Sequence, residues 1–409
     1  MMKNFIRINT SDNVVVALNE IIKGTILDDS EVNKILEDIK PGHKIATRDI
    51  NKGENILKYG YPIGHATENI KKGQWVHTHN IRTNLDGTLE YNYNPNFKDI
   101  RRINKPKTFM GYKRKNGDVG IRNELLVVPT VGCINGIAEM IVREFKNKIN
   151  LENIDDCLVY KHNYGCSQLG DDLENTRKIL ADIVKHPNAG GVLVLGLGCE
   201  NNVIDEFKKE LGEFDNDRTK FLITQTVSNE IEEGVKILEE LYETMKNDIR
   251  VEIPISELKI GLKCGGSDGF SGITANPLLG EFSDYIVDNG GITILTEVPE
   301  MFGAETILME RAESEEVFED IVELINNFKE YFLAHNLPIY ENPSPGNKEG
   351  GISTLEDKSL GCTQKGGKSK VVDVLKYGEI SRNKGLNLLN SPGNDLVAST
   401  ALGASGCHM

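Results

Sequence analysis

Four short phrases in this 409-residue chain concentrate thiols, imidazoles, carboxylates and ammonium groups. His162-Asn163-Tyr164-Gly165-Cys166 sets an imidazole near a thiol, a pairing that serves either a nucleophile or a metal. Gly198-Cys199-Glu200 adds a carboxylate at an expected helix start, where backbone N–H groups favour an anion. Lys263-Cys264-Gly265-Gly266-Ser267-Asp268 gathers ammonium, thiol, hydroxyl and carboxylate in one stretch. In Trp75-Val76-His77-Thr78-His79-Asn80 two histidines stand two apart at the end of an expected strand. Alternation sends both imidazoles to one face, where they can meet one metal or one substrate. Each phrase also has a plain structural use. His162–Cys166 can be a tight turn, Ser267 or Asp268 a helix cap, and the histidines solvent-facing residues at a strand end. Spacing alone leaves both uses open.

The seven cysteines are 133, 157, 166, 199, 264, 362 and 407. No two are in C-x-x-C spacing, which excludes a zinc ribbon or a thioredoxin motif. Without an export signal they are expected as thiols, most of them as small buried hydrophobes. Their glycine neighbours argue for more, since glycine marks places where backbone bends or something approaches closely. Gly196-Leu197-Gly198 invites a dinucleotide reading, but Asn201 stands where the fingerprint needs its third glycine.

The elements that must hold these groups are legible. Residues 1–92 read as a small, mostly β domain, with apolar pieces at 13–18, 44–46 and 74–77 between turns at Gly24, Gly42, Gly53 and Gly73. A polar stretch at 93–107 reads as a linker. Residues 108–340 alternate strand, glycine turn and helix, with strands near 125–131, 157–160, 191–197, 221–224, 258–262 and 292–298. This pattern predicts a layered α/β domain with a largely parallel sheet. Ligands of such sheets bind beyond the strands' carboxyl ends, and Cys133, Cys166, Cys199 and Cys264 all follow a strand. Residues 341–409 form a glycine-rich region with short apolar pieces at 371–375 and 385–389. The last line, from Ser391 to Met409, offers no closing strand or helix by composition, so the chain is expected to end inside a domain.

Composition sets the outer limits. Hydrophobic residues at 39% and charged residues at 27% exclude a disordered or fibrous chain. No apolar run is long enough for a membrane span, and the N-terminus lacks a signal-peptide pattern. A net charge of −15 argues against a nucleic-acid partner. The expectation is a cytoplasmic protein with no membrane and no nucleic acid, its oligomeric state open to a homo-oligomer.

Taken together the phrases resemble the altronate/galactarate dehydratase family. The matching pieces are Val76–Asn80, Gly111–Arg114 with Gly117–Asn123, His162–Cys166, His186-Pro187-Asn188 and Gly196–Glu200. They continue with Lys263–Asp268, Ser271-Gly272 with Asn276-Pro277, and Gly361–Gly367, in family order along nearly the whole chain. The resemblance implies a SAF-type N-terminal domain and a sugar-acid dehydratase. The implied reaction takes D-altronate to 2-dehydro-3-deoxy-D-gluconate, by proton removal beside the carboxylate and loss of the 3-hydroxyl. Galactarate dehydration, a sulfolactate C–S lyase and a non-catalytic metal- or sugar-acid-binding remnant are the alternatives. The implied cofactor is iron, Fe(2+), with Mn(2+) as the other choice, and the partner is a small anionic sugar acid. Under this reading His77, His79, Cys166, Cys199 and Cys264 are metal candidates. Glu200 or Lys263 is the expected base and Asp268 or His162 the acid. Arg122, Lys263, Ser267 and Asn80 are expected to hold the substrate.

Overall fold

The computed structural model describes residues 4–26, 32, 34–97 and 107–409. Residues 98–106 of the expected linker lie outside the described residues. At the N-terminus, strands β1 (Phe5–Ile6), β2 (Val14–Ala17), β3 (Lys44–Ala46) and β6 (Trp75–Val76) make one antiparallel sheet. Strands β4 (Asn55–Lys58), β5 (Tyr61–Ala66) and β7 (Ile81–Arg82) make a second. The four expected glycine turns are present, with φ of +86° at Gly24, +81° at Gly42 and +83° at Gly53 and Gly73. Only glycine takes this left-handed conformation without strain, which is why such turns are readable. The strands are too short for a large core, so Val14, Ile50, Ile56 and Ile63 share theirs with Ala304 and Leu360 of the C-terminal region.

The α/β region holds two separate parallel sheets rather than one. The first has the order β11 (Asp156–Val159), β10 (Glu124–Pro129), β12 (Ala189–Gly196), β13 (Thr219–Ile223). Alternate residues of β10 face opposite ways, and both faces are buried. Leu125 and Val127 pack with helices α1 (Asn135–Lys148) and α4 (Glu230–Met245), while Leu126 and Val128 pack with α2 (Gly170–Val184) and α3 (Ile204–Leu211). Burial on both sides makes these strands read as continuous apolar runs. Strands β8 (Thr108–Lys113), β9 (Val119–Gly120) and β14 (Val251–Pro254) form a small antiparallel sheet.

The second parallel sheet has the order β15 (Lys259–Leu262), β16 (Ile292–Leu295), β18 (Gly385–Leu389), β17 (Val371–Leu375). A boundary at 340/341 therefore does not separate domains: β17 and β18 complete the sheet begun by β15 and β16. Helices α5 (Ala275–Asp288), α6 (Glu305–Met309), α7 (Glu315–Ala334), α8 (Pro345–Glu349) and α9 (Leu355–Cys362) surround it. The expectation that the last line lacks a helix is corrected by α10 (Asp395–Ala404). Asn394 caps it by accepting from the Val397 amide, and Ala398, Ala401 and Leu402 are buried. Small residues suit the tight fit of this helix against its neighbours. Beyond it, Met409 accepts a backbone hydrogen bond from Gly261 at 2.7 Å. No helix among the described residues is long and apolar enough to cross a membrane.

One buried acid gives a pH test of this packing. Asp182 on α2 is 8% exposed, and its Oδ2 lacks a hydrogen-bond partner. Burial pushes its carboxyl up to about 6, against the opposing pull of Lys185 and Lys178. The folded state thus binds the proton more tightly than the unfolded one, and stability falls as pH rises from about 4 to about 6. Asp182→Asn is expected to stabilise the protein by about 1–3 kcal/mol at pH 7. The gain disappears near pH 4, as urea unfolding at the two pH values will show.

Candidate active site at the domain junction

The loop after β15 and the segment after β16 leave the carboxyl edge of the second parallel sheet. Helix α9 ends beside them, and together they bring Cys264, Glu300 and Cys362 together. The ligand atoms of these three buried side chains all lie within 4.8 Å of one another, the one such trio of His, Cys, Asp or Glu among the described residues. The Cys362 thiol donates to Glu300 Oε2 at 3.0 Å, and Ser267 Oγ lies 2.9 Å from Cys264 Sγ and 3.8 Å from Cys362 Sγ. Lys358 pairs with Glu300 Oε1 at 2.8 Å and also donates to Asn342 and Asn347. Asn347 in turn donates to the Ser267 carbonyl at 2.8 Å, so the Ser267 loop is tied to α8.

Electrostatics in this cluster are strong because water is excluded. Burial alone would raise Glu300, but Lys358 and Lys365 outweigh it and hold the carboxylate below its ordinary value. The neighbouring Cys362 thiol, the Lys365 charge and the Ser267 hydroxyl favour the Cys264 thiolate, pulling it down to about 6. Cys362 moves up, as the protonated donor of the pair and through its burial. Glu297, whose carboxylate accepts the Cys264 amide, is pushed up to about 7 by burial and by the Glu300 charge. It sits at φ +68°, a backbone conformation uncommon outside glycine. Two thiols and a carboxylate, backed by two buried lysines, are a donor set for a divalent transition metal.

The N-terminal domain closes over this region. Lys44 and Lys58 reach across to Asp357 on α9, at 2.8 and 2.9 Å, and all three side chains are buried. Lys44 also donates to the Gly351 carbonyl, and Thr83 and Asn84 hold Glu356. The backbones of Gly42, Gly269 and Gly351 touch: a Cβ on Gly269 would sit 2.1 Å from the Gly42 carbonyl oxygen. A narrow pocket opens at this junction. Lys58 and Tyr59 line it from one side, and Ser267, Asp268, Asn276, Asp357 and Lys358 from the other.

Among the expected site residues, Cys264, Ser267 and Asp268 belong here. Asp268 Oδ1 also caps its own turn, accepting from the Phe270 and Ser271 amides at 2.9 Å. Lys263 pairs with Asp395 at the start of α10. The five metal candidates are not brought together. Strand β6 ends at Val76, and Asn80 closes a turn by accepting the His77 amide and donating to the Trp75 carbonyl. The turn ends the alternation, so His77 is buried against Trp75 and His43 while His79 is exposed. Asn80 is committed to that turn. Glu200 braces its loop, accepting from Thr130 Oγ1 at 2.7 Å and from the Leu197 and Gly198 amides. His162 engages both ring nitrogens with backbone, at the Pro129 carbonyl and the Tyr164 amide. With Cys166 and Cys199 these two stand at the first sheet's carboxyl edge. Arg122 pairs with Glu124 at that sheet's opposite edge, where β10 begins. Glu300, Lys358, Asp357, Lys44 and Lys58 carry no local motif. Cys362 had a signal only in its glycine-flanked phrase.

Family models match the chain in three consecutive pieces. These are the altronate/galactarate dehydratase SAF domain at 3–84, the D-galactarate dehydratase/altronate hydrolase second domain at 111–246, and the D-galactarate/altronate dehydratase C-terminal domain at 255–409. The chain is 59% identical to an altronate dehydratase of Bacillus subtilis over 410 residues, covering 100% of this chain and 82% of the relative. It is 55% identical to an altronate dehydratase of Escherichia coli over 407 residues, covering 99% and 82%. A galactarate dehydratase (L-threo-forming) of Escherichia coli is 30% identical over 430 residues, covering 98% and 80%. With all three domains matched in order and similarity running the full length, the chain belongs to the altronate/galactarate dehydratase family.

Proposed function

We propose that this chain is a hydro-lyase that dehydrates D-altronate to 2-dehydro-3-deoxy-D-gluconate at the junction of its N- and C-terminal domains. The observation that carries the site is the buried Cys264–Glu300–Cys362 trio beside a pocket lined by Lys58 and Lys358. Altronate over galactarate follows from the relatives at 59% and 55% identity against 30%.

The donor set fits iron(II) better than manganese(II), because thiolates are soft ligands and manganese prefers oxygen. Cys264, Glu300 and Cys362 would hold the ion, which would supply positive charge against the charge developing as the proton beside the carboxylate leaves. The remaining work falls to the protein. Lys58 and Lys358 give an anionic substrate a local positive field inside a chain of net charge −15. Lys358, held by Glu300, Asn342 and Asn347, acts as a fixed donor to substrate oxygen. Asp357 is committed to two lysines, so Asp268 is the pocket carboxylate left to move the proton. The N-terminal domain shuts water away from the forming charge. Seven free thiols and reduced iron suit the cytoplasm.

The test is product formation by protein loaded with iron(II) under reducing conditions, with altronate, galactarate and sulfolactate offered separately. Altronate should be turned over with kcat/KM more than about tenfold above galactarate, a difference of about 1.4 kcal/mol in transition-state binding. Preference for galactarate, or sulfite release from sulfolactate, would overturn the assignment.

A further inference from the structure

The dehydration site leaves three thiols unused at the other parallel sheet. Cys133, Cys166 and Cys199 follow β10, β11 and β12, three adjacent strands, and all three are exposed and free. Their loops are locked together by backbone. The Gly132 amide donates to the Tyr164 carbonyl at 2.8 Å, and the Asn202 amide to the Gly165 carbonyl at 3.1 Å. The Ser167 amide donates to Asn201 Oδ1 at 2.7 Å, and Asn202 Nδ2 to the Thr130 carbonyl at 3.1 Å. Gly165 lies so close that a Cβ would come within 2.2 Å of the Thr130 carbonyl oxygen.

Helices α1, α2 and α3 begin a few residues after these thiols, on Ile134, Leu169 and Val203, and none has a side-chain cap. Helices α4, α7, α9 and α10 start on Asn229, Ser314, Thr354 and Asn394, whose side chains satisfy an N–H group, while α5 and α6 at the second sheet are uncapped as well. Three uncapped helix N-termini thus stand at the thiol-bearing edge, and such ends favour thiolate and other negative charge. Tyr164, Leu169 and Val203 add exposed apolar surface to the same loops.

A single metal ion does not fit. Three thiolates on one zinc place their sulfurs about 4 Å apart, whereas these three do not come together within 4.8 Å. A larger polynuclear group spreads its ligands more widely. We infer that Cys133, Cys166 and Cys199 bind a four-iron, four-sulfur cubane cluster, leaving one iron without a protein ligand.

Transfer from a small-thiolate-capped cubane tests this without any change of oxidation state. Each cysteine gives its proton to a departing small thiolate and takes its place on iron, so three small thiols are released. Incubated anaerobically with this complex and desalted, the full chain should retain about four irons and four acid-labile sulfides and show visible sulfide-to-iron absorption. Cys133→Ser, Cys166→Ser and Cys199→Ser should each retain at least about fivefold less sulfide, with unchanged circular dichroism. Cys264→Ser should retain the full amount, which separates this cluster from the proposed dehydration centre. Wild-type protein that keeps no sulfide, or serine variants that keep as much as wild type, would overturn the inference.

Discussion

A Glu300→Gln protein is expected to fold as the parent does and to turn altronate over about a thousandfold more slowly, with its iron content reduced. The amide keeps the side chain's size but offers one accepting oxygen where Cys362 and Lys358 reach two carboxylate oxygens, at 3.0 and 2.8 Å. What it removes is the charge that both partners and a bound cation require. Preorganised groups facing developing charge in a water-poor site are each worth about a hundred- to thousandfold in rate, and loss of a metal-binding carboxylate takes the upper end. Steady-state kinetics with iron analysis on the same samples check this. Full turnover and full iron in the variant would remove Glu300 from the centre.

The second large effect concerns stability. Asp357 is buried between Lys44 and Lys58, and it fastens the N-terminal domain to α9. Burial would raise its carboxyl, but the two ammonium groups prevail and hold it well below the usual carboxylate range. Asp357→Asn leaves both ammoniums buried without a counter-charge, at an expected cost of about 3–5 kcal/mol at pH 7. A depressed carboxyl contributes its stability above its unfolded value and loses it as pH falls into the acid range. The gap between wild-type and variant stabilities should therefore stay full down to about pH 4 and shrink progressively only as pH falls further. Urea unfolding across pH measures both. Replacing Lys44, Lys58 and Asp357 together by Met, Met and Leu should recover much of the loss, since apolar residues often replace a buried ionic cluster at little cost. A single Asp357→Asn change of under about 1 kcal/mol would show that the triad is not a fastening.

The strands were legible because burial on both faces writes an unbroken apolar run, and the glycine turns because left-handed φ excludes other residues. The apolar pieces at 44–46, 371–375 and 385–389 are the strands Lys44–Ala46, Val371–Leu375 and Gly385–Leu389. Helix α10 was missed because its burial, not its composition, selects small residues. Ser267 and Asp268 lie with Cys264 because they are neighbours in one loop. Glu200 and His162 hydrogen-bond their own loops, and a strand-end loop looks the same in sequence whether its polar side chains face a ligand or brace their own backbone.

From sequence alone came the thiols at strand ends, the layered α/β architecture and the family of sugar-acid dehydratases. Those rest on local spacing and on phrases in fixed order, which a chain carries before it folds. Tertiary structure alone decided which thiols meet. Cys362 joins Glu300 across 62 residues and Ser267 across 95, and Lys44 finds Asp357 across 313. It also divided the cysteines between two sheets, Cys264 and Cys362 at one edge and Cys133, Cys166 and Cys199 at another. Such pairings follow from strand order and domain closure, and a list of residues contains neither until two sheets and a small β domain have packed.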